Sequence, residues 1–249
     1  MQGSFILILT LTFLVALIYS SVGHGGASGY LALLSFFAFP HEFMATSALL
    51  LNLFVSAAAF AHFWKARHFS WNSTWPFILS SVPLAFLGGL IKLSPSVYSL
   101  LLGLVLWVAA FRLLVQPESI PAHQIFPSRG AALAIGGSIG LVSGMVGIGG
   151  GIFLTPLLVL FRWASPREAA ATSALFILVN SSAGLLGRMM RHPLEISFSA
   201  FLIGLILAAL LGGMIGSRLG ANHFSAQRLK QILALVLLTA SFKLFGSLH

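Results

Sequence analysis

The stretch VGIGGGIF, Val146 to Phe153, and its earlier counterpart VGHGGASG, Val22 to Gly29, decide how this chain folds. Each interrupts an apolar run too long for one helix: Gly3 to Phe39 holds a single ionisable side chain, His24, and Gly130 to Phe161 holds none. A bilayer core takes about 20 apolar residues per spanning helix. Each run must therefore break or turn within the membrane, and the glycines mark where it does so.

Outward from the breaks the similarity continues. Pro40-His41-Glu42-Phe43-Met44-Ala45-Thr46-Ser47-Ala48-Leu49 aligns with Pro166-Arg167-Glu168-Ala169-Ala170-Ala171-Thr172-Ser173-Ala174-Leu175, Ser56-Ala57 with Ser182-Ala183, and Gly88-Gly89 with Gly212-Gly213. Matches in this order are the mark of an internal repeat. Residues 1–115 form a first membrane repeat, the polar stretch 116–128 with Pro117, Pro121 and Pro127 a linker, and residues 129–249 a second repeat. Each repeat reads as a first helix, a glycine break, a short apolar segment and three further helices. The short segments are expected near Gly29 to Phe39 and Ile152 to Phe161, and the helices after them near Phe43 to Trp64 and Arg167 to Gly187.

Composition agrees. Of 249 residues 58% are apolar and 7% charged, against about 25% charged in soluble domains. The first apolar stretch lacks a basic n-region and an A-x-A cleavage site and is expected to be a retained helix. The absence of cysteine excludes disulfides and thiol chemistry. A net charge of +9 in short loops sets topology and does not call for nucleic acid. There is no Asp, and the acids are Glu42, Glu118, Glu168 and Glu195. That scarcity disfavours cation transport, which commonly uses intramembrane carboxylates.

Charge also bears on the symmetry. If the short segments cross, Lys65, Arg67, Arg112, Arg129, Arg162, Arg167, Arg218, Arg228 and Lys230 are cytoplasmic, and Lys92, Arg188, Arg191 and Lys243 lie outside. If they re-enter, the best split is seven to six. The expected fold is thus an all-α polytopic membrane protein of two inverted repeats, each with four full helices and one short broken segment.

Consecutive glycines leave backbone amides uncovered, which is tolerated at membrane depth only where protein buries them or a cavity is lined. Half-helices that begin at such breaks aim positive ends at anions in transporters with inverted repeats. His24, Gly25, Gly26, Ala27 and Ser28 in the first copy, and Gly149, Gly150 and Gly151 in the second, are therefore candidate substrate-binding residues. Thr46, Ser47, Thr172 and Ser173 add hydroxyls, and Asn52 and Asn180 add neutral donors although they align only with a two-residue shift. Glu42 and Glu168 either favour their own helix dipoles or form a coupling or gating pair. Gly140/Gly144 and Gly212/Gly216 read as close helix packing. His24 stands where the second copy has Ile148, so the copies differ chemically.

With its duplicated glycine break, the run GMVGIGGGIFLTP at Gly144 to Pro156 and the Ala-Thr-Ser helices, the whole chain resembles the TauE/SafE sulfite exporter family, also called the toluene sulfonate uptake permease family. The resemblance implies transport of sulfite, sulfonates such as sulfoacetate, or related small anions across a bacterial plasma membrane. It implies no enzyme activity, cofactor or metal. The partners expected are the anion and the bilayer, with a homodimer left open. The first copy departs from the pattern, with His24-Gly25-Gly26-Ala27 in place of a plain glycine run and Ala32 aligned with Pro156. No Walker motif points to ATP coupling. Two alternatives remain: a passive anion channel, and an intramembrane serine protease using Ser28 of Gly26-Ala27-Ser28-Gly29. Ile152 at the equivalent position weakens the second.

Overall fold

The computed structural model describes residues 2–21, 24–115, 126–191, 200–222 and 227–246. Among these residues the chain forms ten α-helices and no strand: α1 Gln2–Ser21, α2 Ala27–Phe36, α3 His41–Lys65, α4 Trp71–Leu90, α5 Pro95–Val115, α6 Arg129–Val146, α7 Gly151–Leu160, α8 Pro166–Arg191, α9 Ala200–Asn222 and α10 Gln227–Gly246. Five have spans long and apolar enough to cross a membrane: α3, α4, α6, α8 and Ala200–Leu219 of α9. The ten residues of α2 and of α7 reach only about 15 Å, half of the roughly 30 Å hydrocarbon core. The expected all-α polytopic membrane protein is what forms. Glu118, Glu195 and the linker residues 116–125 lie outside the described residues.

Of the four helices given bounds above, α2 and α8 differ from expectation by more than two residues at an end. α2 starts at Ala27 because Gly26, at φ 93, turns the chain directly into the helix, and it stops at Phe36, just before Ala38 at φ 54. α8 runs on past Gly187 to Arg191. Gly187 is a packing contact and not a stop, since a Cβ there would run into the Phe86 carbonyl of α4.

Small residues hold the bundle together, as bilayer helices need close backbone approach where no hydrophobic drive separates lipid from protein. Gly136, Gly140 and Gly144 of α6 sit on the backbone of Phe77, Ser81 and Ala85 of α4. Both series advance by four residues, so α4 and α6 run parallel. Gly212 and Gly216 of α9 sit in the same way on Phe13 and Leu17 of α1. α4 thus packs on α6 and α9 on α1, each pair joining helices far apart in the chain. α8 joins α4 in the same sense, with Gly184 beside Ala85 and Gly187 beside Phe86 and Leu90. Large apolar side chains such as Leu79, Leu87, Trp107, Phe111, Leu207 and Leu211 point outward, as a lipid-facing surface requires. α3 and α8 meet in the middle, where the glycine breaks arrive.

Candidate functional site

Both first helices end alike. The His24 amide donates to the Tyr19 carbonyl at 2.9 Å, and the Ile148 amide to the Ser143 carbonyl at 3.1 Å. In α6, with Gly147 left-handed at φ 91, this is the six-to-one bond of a Schellman-type helix end, and the bond after α1 spans the same five residues. After two more residues each chain re-enters a helix through a left-handed glycine, Gly26 at φ 93 and Gly150 at φ 84, and neither half-helix has a side-chain cap. An L side chain would be strained in that conformation. The first-turn amides of a helix have no intrahelical acceptor, so two uncapped positive ends are buried in the bundle.

A hydroxyl without a partner lies beside each of these glycines. Tyr30 Oη is 2.8 Å from where a Cβ on Gly26 would stand, and Ser143 Oγ is 2.7 Å from the same point on Gly150. Both are buried and make no hydrogen bond. Between the breaks stands Asn52 of α3, fully buried. Its Nδ2 donates to the Ile148 carbonyl at 3.2 Å and to Ser181 Oγ at 3.4 Å. A carbonyl only accepts, so this bond fixes the amide orientation and turns Oδ1 elsewhere. That oxygen has no partner and lies 2.6 Å from the Cβ position of Gly25, while Nδ2 lies 2.6 Å from that of Gly149. One side chain therefore touches both breaks, and any larger residue at either glycine would displace it. Asn180 is also fully buried, with neither amide atom bonded.

The family model for the sulfite exporter TauE/SafE matches residues 8–244. The chain belongs to the TauE/SafE family. A probable membrane transporter of Sinorhizobium fredii, y4hK, is 36% identical over 243 residues, covering 93% of this chain and 94% of that one. A probable membrane transporter of Xylella fastidiosa is 31% identical over 201 residues, covering 76% and 75% of the two chains. The probable membrane transporter YunE of Bacillus subtilis is 20% identical over 264 residues, covering 94% and 95%. No solved structure matches the chain. This TauE/SafE protein is thus a multi-pass membrane transporter, and the family gives the serine-protease alternative no support.

The remaining expected residues are placed as follows. Ala27 and Ser28 open α2, with Ser28 Oγ bonded to Tyr19 Oη at 2.7 Å. His24 is 9% exposed and sits edge-on to the Tyr19 ring, 6.4 Å between centroids. Gly151 opens α7 against Ile177 of α8. Ser173 accepts from Thr155 of α7 at 2.7 Å, which ties the half-helix to α8. Thr172 meets Thr74 of α4 at 3.1 Å, and Thr46 and Ser47 are buried on α3. Ser56 and Ser182, matched between the repeats, each bond the carbonyl four residues back in their own helix, Asn52 and Leu178, the usual habit of serine in such helices.

Glu42 and Glu168 do not meet each other in any described bond. Glu168 forms a capping box with Ser165: its Oε2 accepts from the Ser165 amide at 2.9 Å, and its own amide donates to Ser165 Oγ at 3.4 Å. Glu42 reaches across to α8, bonding Arg188 at 3.0 Å and Arg191 at 2.6 Å. Close by, Tyr98 Oη donates to the Val146 carbonyl at 3.1 Å, with His41 edge-on to its ring.

Sequence reasoning missed Arg188, Tyr30, Ser143 and Ser181. Arg188 was counted as an outside loop charge because α8 was expected to end one residue earlier. Tyr19 and Ser143 occupy matching positions 124 residues apart, but as different residues they raise no repeat signal.

Proposed function

We propose that the chain is a secondary transporter that moves a small sulfur-containing or organic anion, such as sulfite, a sulfonate or a sulfoacetate-like molecule, across the bacterial plasma membrane. Its substrate is held between the two breaks. The reading is carried by the unpartnered hydroxyl beside each uncapped half-helix, Tyr30 at Gly26 and Ser143 at Gly150. Buried donors are normally satisfied, and leaving one unmet costs about 1–3 kcal/mol. An anion bound there would be met by helix-end amides and by these hydroxyls, while Asn52, whose two amide hydrogens go to Ile148 and Ser181, braces the two breaks from behind. All of these donors are neutral, which suits a substrate that must leave again.

Repeats 1–115 and 129–249, joined by linker 116–128, are read as inverted copies. α6 runs parallel to α4 and α8, whereas α1 runs parallel to α9. Because α8 and α9 are consecutive spans, α1 and α6 point in opposite directions, as inversion requires. The positive-inside count is also consistent. Of the four minority charges, Arg188, Arg191 and Lys243 bond carbonyls at the ends of α6, α4 and α2, where helix dipoles favour cations.

The test is uptake of radiolabelled sulfite, sulfoacetate and taurine into proteoliposomes. Saturable uptake of at least one, lowered in a Tyr30→Phe/Ser143→Ala variant, is expected. Movement of an unrelated cation with no uptake of any of the three would overturn the reading. Accumulation above the equilibrium ratio separates a coupled transporter from a passive channel.

A further inference from the structure

On the face where α3 begins, two guanidiniums share one carboxylate. Arg188, only 4% exposed, bonds Glu42 Oε2 at 3.0 Å and the Met145 and Gly144 carbonyls at 2.6 and 3.3 Å. Arg191, 12% exposed, bonds Glu42 Oε1 at 2.6 Å and the Ile91 carbonyl at 2.7 Å. With these bonds made, the Nε of each arginine is still buried and unpartnered. The group therefore has one positive charge and two directional donors in excess.

The arginines are held from behind by the last turns of α6 and α4, but the Glu42 side chain is 53% exposed. It is the member free to leave. To a guanidinium, a carboxylate, a sulfonate and a sulfite group look alike: each offers paired oxygens to a planar fork. The location also fits a route inward. Arg188 lies seven residues beyond Ser181, which touches Asn52. That is two turns along the same face of α8, about 10 Å.

We propose that Arg188 and Arg191 form a docking site for a small oxyanion, in which Glu42 is a built-in competitor that the arriving anion displaces. The step onward to the breaks rests on the anion-transport reading above, but the exchange at the arginines does not. Displacement frees the first turn of α3 from the ends of α4, α6 and α8, so docking loosens the contact that closes this face.

The experiment follows thermal unfolding of the purified full-length protein against methanesulfonate and sulfite concentration, with sodium chloride holding ionic strength constant. Bound anion raises the midpoint by mass action. Glu42→Gln should unfold at a lower temperature without anion yet bind methanesulfonate about tenfold more tightly than the unaltered protein, because the competitor is gone. Arg191→Gln leaves Glu42 to neutralise Arg188 alone and should bind about tenfold more weakly. Equal or weaker binding by Glu42→Gln would mean that the carboxylate is a structural partner only. Should Glu42→Gln fail to fold, Arg191→Gln decides, and an unchanged affinity overturns the proposal. The Tyr30→Phe/Ser143→Ala variant separates the two readings. If it alone loses its response, the docking site falls while transport stands; if no protein responds to either anion, both fall.

Discussion

Glu42 and Glu168 open equivalent helices 126 residues apart and differ in what they hold. Glu168 closes its own helix start with Ser165. Glu42 follows Pro40, which gives α3 no side-chain cap, and it binds α8 through Arg188 and Arg191. At the same offset those arginines correspond to His62 and Lys65 at the end of α3. His62 bonds the Ala58 carbonyl of its own helix, and Lys65 is exposed. The two helices thus share a sequence pattern while their ends hold different partners. One face is fastened between α3 and α8 by charge and the other, in its described bonds, by local caps. Under the transport mechanism proposed above, the free energy needed to part the two faces would then differ between them.

The largest effects should come at the closest helix contacts, α4 with α6 and α9 with α1. Gly144→Val and Gly216→Val each drive a side chain into a carbonyl, of Ala85 and of Leu17 respectively. Each should destabilise the protein by about 3 kcal/mol, at the upper end for overpacking. The matched unfolding midpoints of the two purified variants check it. Tolerance of one alone would mean that the exchanged packing is not shared.

Next come the glutamates. Glu42→Gln leaves a nearly buried Arg188 without its carboxylate and should lose about 2 kcal/mol, less in high salt because Glu42 is half exposed. Glu168→Gln, which keeps a capping-box acceptor, should lose at most about 0.5 kcal/mol. Thermal unfolding at low and high salt distinguishes them, and equal losses would dissolve the contrast between the faces.

Asn180→Leu should move stability the other way. Two buried amide atoms have no partner, so an apolar side chain of similar size is expected to gain about 1 kcal/mol while anion uptake falls. A gain in midpoint with uptake unchanged would remove Asn180 from the substrate's surroundings. A loss of both would assign it to packing.

The breaks and the Ala-Thr-Ser helices were legible in the sequence because each is a local pattern that occurs twice, and the glycine contacts because small residues recur four apart. Asn52 was harder to weigh. Its apparent mate Asn180 is out of register by two residues, and only the fold reveals that Asn52 touches both Gly25 and Gly149. The Glu42–Arg188 pair spans 146 residues, so no window contains both. Arg188 was also obscured by Gly187, read as a helix end although membrane helices tolerate glycine where neighbours pack closely. Tyr30 and Ser143 are absent from any repeat match for a physical reason. They place hydroxyls at equivalent glycines from different helices, Tyr30 from the half-helix after the break and Ser143 from the helix before it.

The smallest expected effect on stability tests the break itself. His24 and Ile148 make the same amide bond to the carbonyl five residues back, at 2.9 and 3.1 Å. His24→Ile should therefore keep the backbone turn and alter unfolding by no more than about 0.5 kcal/mol. What it removes is a ring with polar nitrogens beside Tyr19, and with it the main chemical difference between the two breaks. If that difference sets substrate preference, relative uptake of sulfite, sulfoacetate and taurine should shift by about threefold, a modest discrimination of the kind a single side chain supplies. A large drop in unfolding midpoint would make His24 a structural element of the turn. An unchanged midpoint with unchanged ranking would move the source of specificity to Tyr30 and Ser143, the hydroxyls that also differ between the breaks.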